Sequence, residues 1–368
     1  MATQATVNGD GATDASRIFI LGIGNVGRLF AHSIGKLPQR PPVTLLLHRP
    51  SLAEEFEAAN RSIELSTNGV SDVVGGYDYE VVDAEAAGSA GKPLIHNLIV
   101  TTKATQTLAA ISRIKNRLNA HSTVVFTQNG MGTTDLISQN LFPDPASRPL
   151  YMTGVIFHGI HSTGPFSTIH AGVGYVPIAP PHPKTYVGDR LPDQHVHLLS
   201  TILAVKAVNA IEVPPAELLL IQLVKLVVNC LINPLTALFG IRNKGLYEVP
   251  ALAPLVDVLI TETRAVILAL PELKPPLAEV PREEVERRFS MDALRTLVRE
   301  KALMTGENRS SMLADADAGR ETEIEFINGW VVRKGRELGV EVPISEKAVE
   351  FVLQRRYGKV DVGRDFGL

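Results

Sequence analysis

The chain has 368 residues, 45% of them hydrophobic and 20% charged, with a formal net charge of −3. That is long enough for two domains with separate apolar cores, and the interspersed charge marks neither a nucleic-acid surface nor a polybasic membrane anchor. The single cysteine, Cys230, excludes an intrachain disulfide and a cysteine-built zinc site; it reads as a small core residue in a reducing, cytoplasmic setting. Residues 1–16 have no basic residue, no apolar run and two aspartates, Asp10 and Asp14. They read as a disordered tail rather than a signal or transit peptide, so mitochondrial import has no support.

In chain order, residues 17–21 (RIFIL) form a short strand that runs into a glycine-rich turn, and residues 28–37 carry a helical pattern. Pro38, Pro41 and Pro42 break it, and residues 43–47 (VTLLL) make the next strand. Residues 96–103 are a buried strand ending in Lys103, residues 105–118 an amphipathic helix, and residues 122–130 a further strand. This alternation predicts an α/β fold with a parallel, doubly wound sheet. The glycine- and β-branched-rich stretch 150–179 predicts two or three antiparallel strands closing the sheet edge. A proline-rich loop follows at 177–192. Beyond residue 213 the pattern is helical, with a surface connection at 271–282. The expected domains are therefore 17–212, binding a nucleotide, and 213–368, all-helical and carrying substrate.

The turn itself is Gly22, Ile23, Gly24, Asn25, Val26 and Gly27, a G-x-G-x-x-G spacing between strand and helix. The first glycine permits the tight turn, the second a close approach to a pyrophosphate, and the third close helix–strand contact. This is the signature of a Rossmann-type dinucleotide site. NAD-selective versions place an acid at the end of the second strand. Here that position reads Leu47-His48-Arg49, and the nearest acids, Glu54 and Glu55, come later. A guanidinium there pairs with a 2′-phosphate, so the expected cofactor is NADP(H), contacted by Arg49 or by His48 beside it. Lys103 and the Gln128-Asn129-Gly130-Met131-Gly132 turn fall at the carboxyl ends of parallel strands, where such sheets bind ligands.

The most polar feature of the second half lies inside its most apolar run. Residues 217–240 read ELLLIQLVKLVVNCLINPLTALFG, with Lys225, Asn229 and Asn233 at i, i+4 and i+8, one stripe of a helix. Burying an ammonium and two amides costs several kcal/mol unless they are paired. The run is about the length of a membrane span, but its lysine, amides and Pro234 argue against one. A core helix with satisfied polar groups is the plainer alternative to a ligand site. Further on, Asn308-Arg309-Ser310-Ser311-Met312-Leu313 precedes Glu323, which lies beside the buried face (Ile324, Ile327, Val331) of a helix, with Glu321 and Glu325 in solvent.

GIGNVG, QNGMG, KLVVNCLINPLTA and SSML…GRETEIEFING together resemble the ketopantoate reductase (2-dehydropantoate 2-reductase) family, in its fungal form, over residues 17–358. The resemblance implies reduction of 2-dehydropantoate to (R)-pantoate by NADPH, on the route to pantothenate and coenzyme A. It implies that Lys225 is the acid and that Glu323 supports the chemistry. It places substrate-binding groups on Asn129, Asn229, Asn233, Asn308 and Ser311, and cofactor contacts on Lys103, Asn129 and the backbone of Ile160. A small 2-oxo acid is the expected partner, with no nucleic acid, membrane or metal, and with room for a homodimer. The parts of the site come from both halves, which predicts a cleft and domain closure around substrate. A sibling reductase of another 2-oxo acid and a non-catalytic NADPH sensor are the alternatives.

Overall fold

A computed structural model describes residues 15–82, 92–181 and 193–368. The expected tail up to residue 14, and residues 182–192 of the expected proline-rich loop, lie outside the described residues. The chain divides into two compact units. The first comprises Met1–Thr102, Thr107–Thr127 and Ile137–Glu212; the second comprises Lys103–Gln106, Gln128–Leu136 and Val213–Leu368.

The strands are β1 Ile18–Leu21, β2 Val43–Leu47, β3 Ile63–Thr67, β4 Val70–Val74, β5 Asp78–Val81, β6 Asn97–Val100, β7 Thr123–Phe126, β8 Leu150–Gly154, β9 Gly159–Gly164, β10 Ser167–Gly172, β11 Val176–Ala179 and β12 Ala210–Glu212. Eight of them form one sheet, ordered β12-β11-β8-β7-β6-β1-β2-β5. Its pairs are parallel except β8 with β11. Strands β1, β2, β6 and β7 are buried along their whole length, because helices cover both faces of a doubly wound sheet. Alternate residues of β1 feed separate cores, Ile18 and Ile20 on one side, Phe19 and Leu21 on the other. The helices that go with the sheet are α1 Asn25–Gly35, α2 Pro50–Ala58, α3 Ala104–Ser112, α4 Thr133–Leu141 and α5 Asp193–Ala204.

The expected two or three strands at 150–179 are four, and they do not all close the main sheet. β8 extends it in parallel and β11 caps β8 antiparallel, so Pro177 lies in a strand rather than in the loop. β9 and β10 belong to a second sheet, ordered β4-β3-β10-β9. The hairpin β3–β4 carried a signal that the periodicity reading passes over. Asn68-Gly69 joins the two strands with both residues at positive φ, 52° and 78°, the backbone a two-residue hairpin requires. The helix expected over 105–118 ends at Ser112, and a 3-10 turn follows at Lys115–Arg117.

The second unit is helical: α6 Pro215–Phe239, α7 Gly245–Glu248, α8 Ala253–Ala269, α9 Arg282–Arg288, α10 Met291–Met304, α11 Ser311–Asp317, α12 Asn328–Leu338 and α13 Pro343–Leu353. α6 is its central element, packed by α8, α10, α11 and α13. Pro215 starts it and Gly240, at φ 64°, ends it in a left-handed cap. Leu223, Val227, Leu231 and Leu235, at i+4 spacing, are fully buried, each contributing about 1.5–3 kcal/mol. By length and composition α6 is apolar enough to cross a membrane, yet most of it is buried in this unit. Pro234 sits inside it and cannot donate to the Cys230 carbonyl. The Nδ2 of Asn328 donates to that carbonyl at 2.9 Å instead, so the helix continues through the proline. The helix expected around Glu323 begins later: Ile324–Phe326 is a 3-10 turn, and α12 starts at Asn328. Ile324, Ile327 and Val331 are nonetheless buried, while Glu321 and Glu325 are exposed.

Candidate active site

Two short segments that the sequence places with the sheet half group with the helical unit. The reason is local bonding. The carbonyl of Phe326, in the 3-10 turn before α12, accepts the Met131 N–H at 2.8 Å. Gly130 has φ 81°, and a Cβ there would lie 2.2 Å from the Phe326 carbonyl oxygen. The Gln128–Gly132 turn therefore needs glycine at 130 both for its backbone and for its contact.

That turn brings Asn129 onto α6 and onto Glu323. Lys225 Nζ donates to Asn129 Oδ1 at 2.8 Å. Asn129 Nδ2 is 3.5 Å from Glu323 Oε2, and the backbone N–H of Ala104 donates to Glu323 Oε1 at 2.9 Å. Ala104 opens α3, so the carboxylate sits on a helix N-terminus, which favours its charge. A continuous path thus runs from ammonium through amide to carboxylate to helix end. Burial pushes the Lys225 ammonium down to about 8, with the Glu323 carboxylate opposing the shift. Burial pushes the Glu323 carboxyl up, opposed by the Ala104 N–H, the Asn129 amide and the Lys103 ammonium. A lysine that shares its proton near neutral pH is suited to general acid work.

Asn229 and Asn233 follow Lys225 along the same stripe of α6. Asn229 is half-buried and Asn233 is 6% exposed. Among the described residues, neither amide side chain makes a hydrogen bond. A buried amide without a partner costs a few kcal/mol, so these two suit a bound polar molecule. Ser310 caps α11, its Oγ accepting the Leu313 N–H at 3.0 Å and the Thr236 hydroxyl of α6 at 2.7 Å. This pins α11 to α6 one turn beyond Asn233. Ser311 and Asn308 beside it are exposed. Lys103 forms an ion pair with Asp315 of α11. Thus Lys103, Asn129, Lys225 and Glu323 are brought together, and Asp315, Asn328 and the Ala104 N–H are contributors that sequence reasoning missed.

In the first unit the glycine turn has the geometry of a phosphate cradle. Gly22 has φ 99°, and a Cβ there would lie 2.5 Å from the Thr102 nitrogen; one at Gly27 would lie 2.1 Å from the Gly22 carbonyl oxygen. A Cβ at Gly24 would meet nothing within 4 Å. Gly24 is also the N-cap of α1 and offers the first-turn N–H groups no side-chain acceptor. Open space over uncapped N–H groups fits a dinucleotide diphosphate. Ile23, Asn25 and Val26 complete the turn, and Asn25 Nδ2 lies 3.5 Å from the Ile160 carbonyl of β9. Arg28, 8% exposed, was also missed. Its Nε donates to the Ile23 carbonyl at 3.2 Å and its Nη1 to the Gly164 and Ser167 carbonyls at 3.0 Å, tying the turn to the second sheet.

Arg49 stands exposed just beyond β2, next to His48. Glu55, which lies too far along the sequence to be the acid at the end of β2, reaches back from α2 to Arg49 Nη2 at 3.1 Å. An exposed pair of this kind is worth about 0–1 kcal/mol, so a phosphate can displace it. Among the described residues no group of three metal-ligating side chains occurs.

The chain belongs to the ketopantoate reductase family. Residues 18–182 match the family described as Ketopantoate reductase PanE/ApbA, and residues 217–355 its C-terminal domain. It is similar to a ketoisovalerate reductase of Gibberella fujikuroi, 31% identical over 96% of this chain and 86% of the relative. It is similar also to a probable 2-dehydropantoate 2-reductase of Schizosaccharomyces pombe, 30% identical over 93% of this chain and 96% of the relative. In fold it matches D-mandelate dehydrogenase solved with NADH, at TM-score 0.70 and 19% identity, covering 92% of this chain and 98% of the other. The protein is therefore an oxidoreductase of this family, with a parallel-sheet N-terminal part and a helical C-terminal part.

Proposed function

We propose that the chain reduces 2-dehydropantoate to (R)-pantoate with NADPH, in the cytoplasm, as a step toward pantothenate and coenzyme A. The observation that carries this reading is the path Lys225–Asn129–Glu323 beside two amides that make no hydrogen bond among the described residues. A bound nicotinamide supplies the hydride. As the keto oxygen gains negative charge, the Lys225 ammonium stabilises it and gives up a proton. Asn129 orients that ammonium through its Oδ1, and Glu323 orients Asn129 through its Nδ2. Asn229, Asn233 and Ser311 hold the carboxylate and the terminal hydroxyl of the substrate, with Asn308 beside them. The glycine turn takes the diphosphate, Arg49 and His48 take the 2′-phosphate, and Lys103 and Ile160 serve the cofactor side.

The likeness to ketoisovalerate reductases favours a second reading, reduction of a 2-oxo acid without the terminal hydroxyl. The buried amide of Asn233 weighs against it. A site built to bond a hydroxyl rejects the analogue lacking one by about 10⁴-fold, because the buried polar group is left unpaired. The test is initial rate with 2-dehydropantoate and with 2-ketoisovalerate, each with NADPH and NADH. The expected order puts 2-dehydropantoate with NADPH first in kcat/KM. A higher value for 2-ketoisovalerate would transfer the assignment to the second reading.

A further inference from the structure

Asp315 is a buried carboxylate of the second unit that the chemistry above leaves unused. It lies one turn after Ser311 in α11 and is 6% exposed. A carboxylate taken out of water is costly unless cations and hydrogen bonds compensate it. Asp315 Oδ1 has two cationic partners, the Lys103 ammonium and Arg320 Nε at 2.9 Å. Lys103 is the residue directly before Ala104, whose N–H holds Glu323. Two carboxylates, Asp315 and Glu323, therefore compete for one ammonium. Lys103 is paired to the first and lies within electrostatic reach of the second. Among the described residues, two hydrogen-bond partners of the Glu323 carboxylate, the Ala104 N–H and the Asn129 amide, are neutral. A charge-assisted bond is about twice as strong as a neutral one. If Lys103 turned to Glu323, it would draw the carboxylate off Asn129, and Asn129 would lose the contact that aims its Oδ1 at Lys225.

We propose that Asp315 is a positioning residue of this site: it holds the Lys103 ammonium against α11, so that Glu323 stays on Asn129 and Asn129 stays on Lys225. The inference rests on the reductase reading above. The charged groups that face Glu323 are Lys225 from α6, Lys103 ahead of α3 and Asp315 from α11; Arg320 after α11 and Tyr357 beyond α13 face Asp315 in turn. Protonation of Glu323 releases Asn129 and sets the acid limb of kcat. The two neighbours act on that limb with opposite signs, since Asp315 raises the Glu323 carboxyl and Lys103 lowers it.

The experiment is kcat against pH, at saturating NADPH, for wild type, Asp315→Asn, Lys103→Met and the double variant. Asp315→Asn should lower the plateau of kcat about tenfold and move the acid limb down by about one pH unit, whereas Lys103→Met should keep the plateau and move the limb up by a similar amount. A shifted limb with an unchanged plateau in Asp315→Asn would leave only a charge effect and overturn the positioning role. The double variant should return to within a few tenths of a unit of wild type, and Asp315→Glu should restore the wild-type limb. Limbs that stay in place, or that move in the same direction in both single variants, would reduce Asp315 to an ion pair that packs α11. If Asp315→Asn fails to fold, Lys103→Met and Asp315→Glu decide the matter by the same readout. Absence of turnover by the wild type overturns the reductase reading and the positioning role together; wild-type turnover with unmoved limbs overturns the positioning role alone.

Discussion

Lys225 shows how one side chain acquires a function from its neighbours. On an exposed surface its ammonium would keep its proton until well above physiological pH. In the interior of the second unit burial brings it down to about 8, and the Glu323 carboxylate limits the fall. In the proposed mechanism the protonated form is the proton donor for reduction. As pH rises through about 8 the donor is lost, so kcat/KM for the 2-oxo acid should fall about tenfold per pH unit above that point. An initial-rate profile from pH 6 to 10 measures it (about four units, spanning the shifted and the ordinary lysine range). A rate that held to pH 10 would mean that an unperturbed group, or none, supplies the proton. Asn129 is the less obvious partner. A lone asparagine in a glycine-flanked turn reads as a turn former, and its role becomes visible only when Gly130 is seen packed against the Phe326 carbonyl.

At the scale of elements, α6 joins stability and chemistry in one helix. One set of positions is fully buried and holds the helical unit together, and another carries Lys225, Asn229 and Asn233. Pro234 would break such a helix but for Asn328, whose amide donates to the orphaned Cys230 carbonyl. Asn328→Ala should lower stability by about 1–3 kcal/mol, the cost of leaving a buried carbonyl without its donor. Urea unfolding followed by circular dichroism measures this, and a loss below about 0.5 kcal/mol would show that the proline turn needs no outside donor. The stripe on α6 was legible because the 3.6-residue period makes i, i+4, i+8 a statement about space. The glycine turn was legible because strand, spacing and helix agree. The partner of Pro234 was not, since a proline announces an orphaned carbonyl but not who answers it. Nor was Asp315, since its pairing with Lys103 spans 212 positions of sequence, and no local pattern encodes it. The second sheet was missed for a different reason: β4 alternates weakly and is largely exposed, and only Asn68-Gly69 marked it.

At the scale of the whole molecule, the two units divide the labour. The glycine turn, Arg49 and Ile160, proposed to hold the cofactor, belong to the first unit, and Lys225, Asn229 and Asn233, proposed to act on the substrate, belong to the second. Cofactor binding and chemistry should then be separable by mutation. Lys225→Ala, assayed side by side for kcat with 2-dehydropantoate and for NADPH affinity by fluorescence titration, tests this most directly. A kcat lower by about 10²–10⁴-fold with NADPH affinity within about threefold of wild type is the result expected of a lost general acid. A variant that reduces the oxo acid at close to the wild-type rate would contradict the account at its centre.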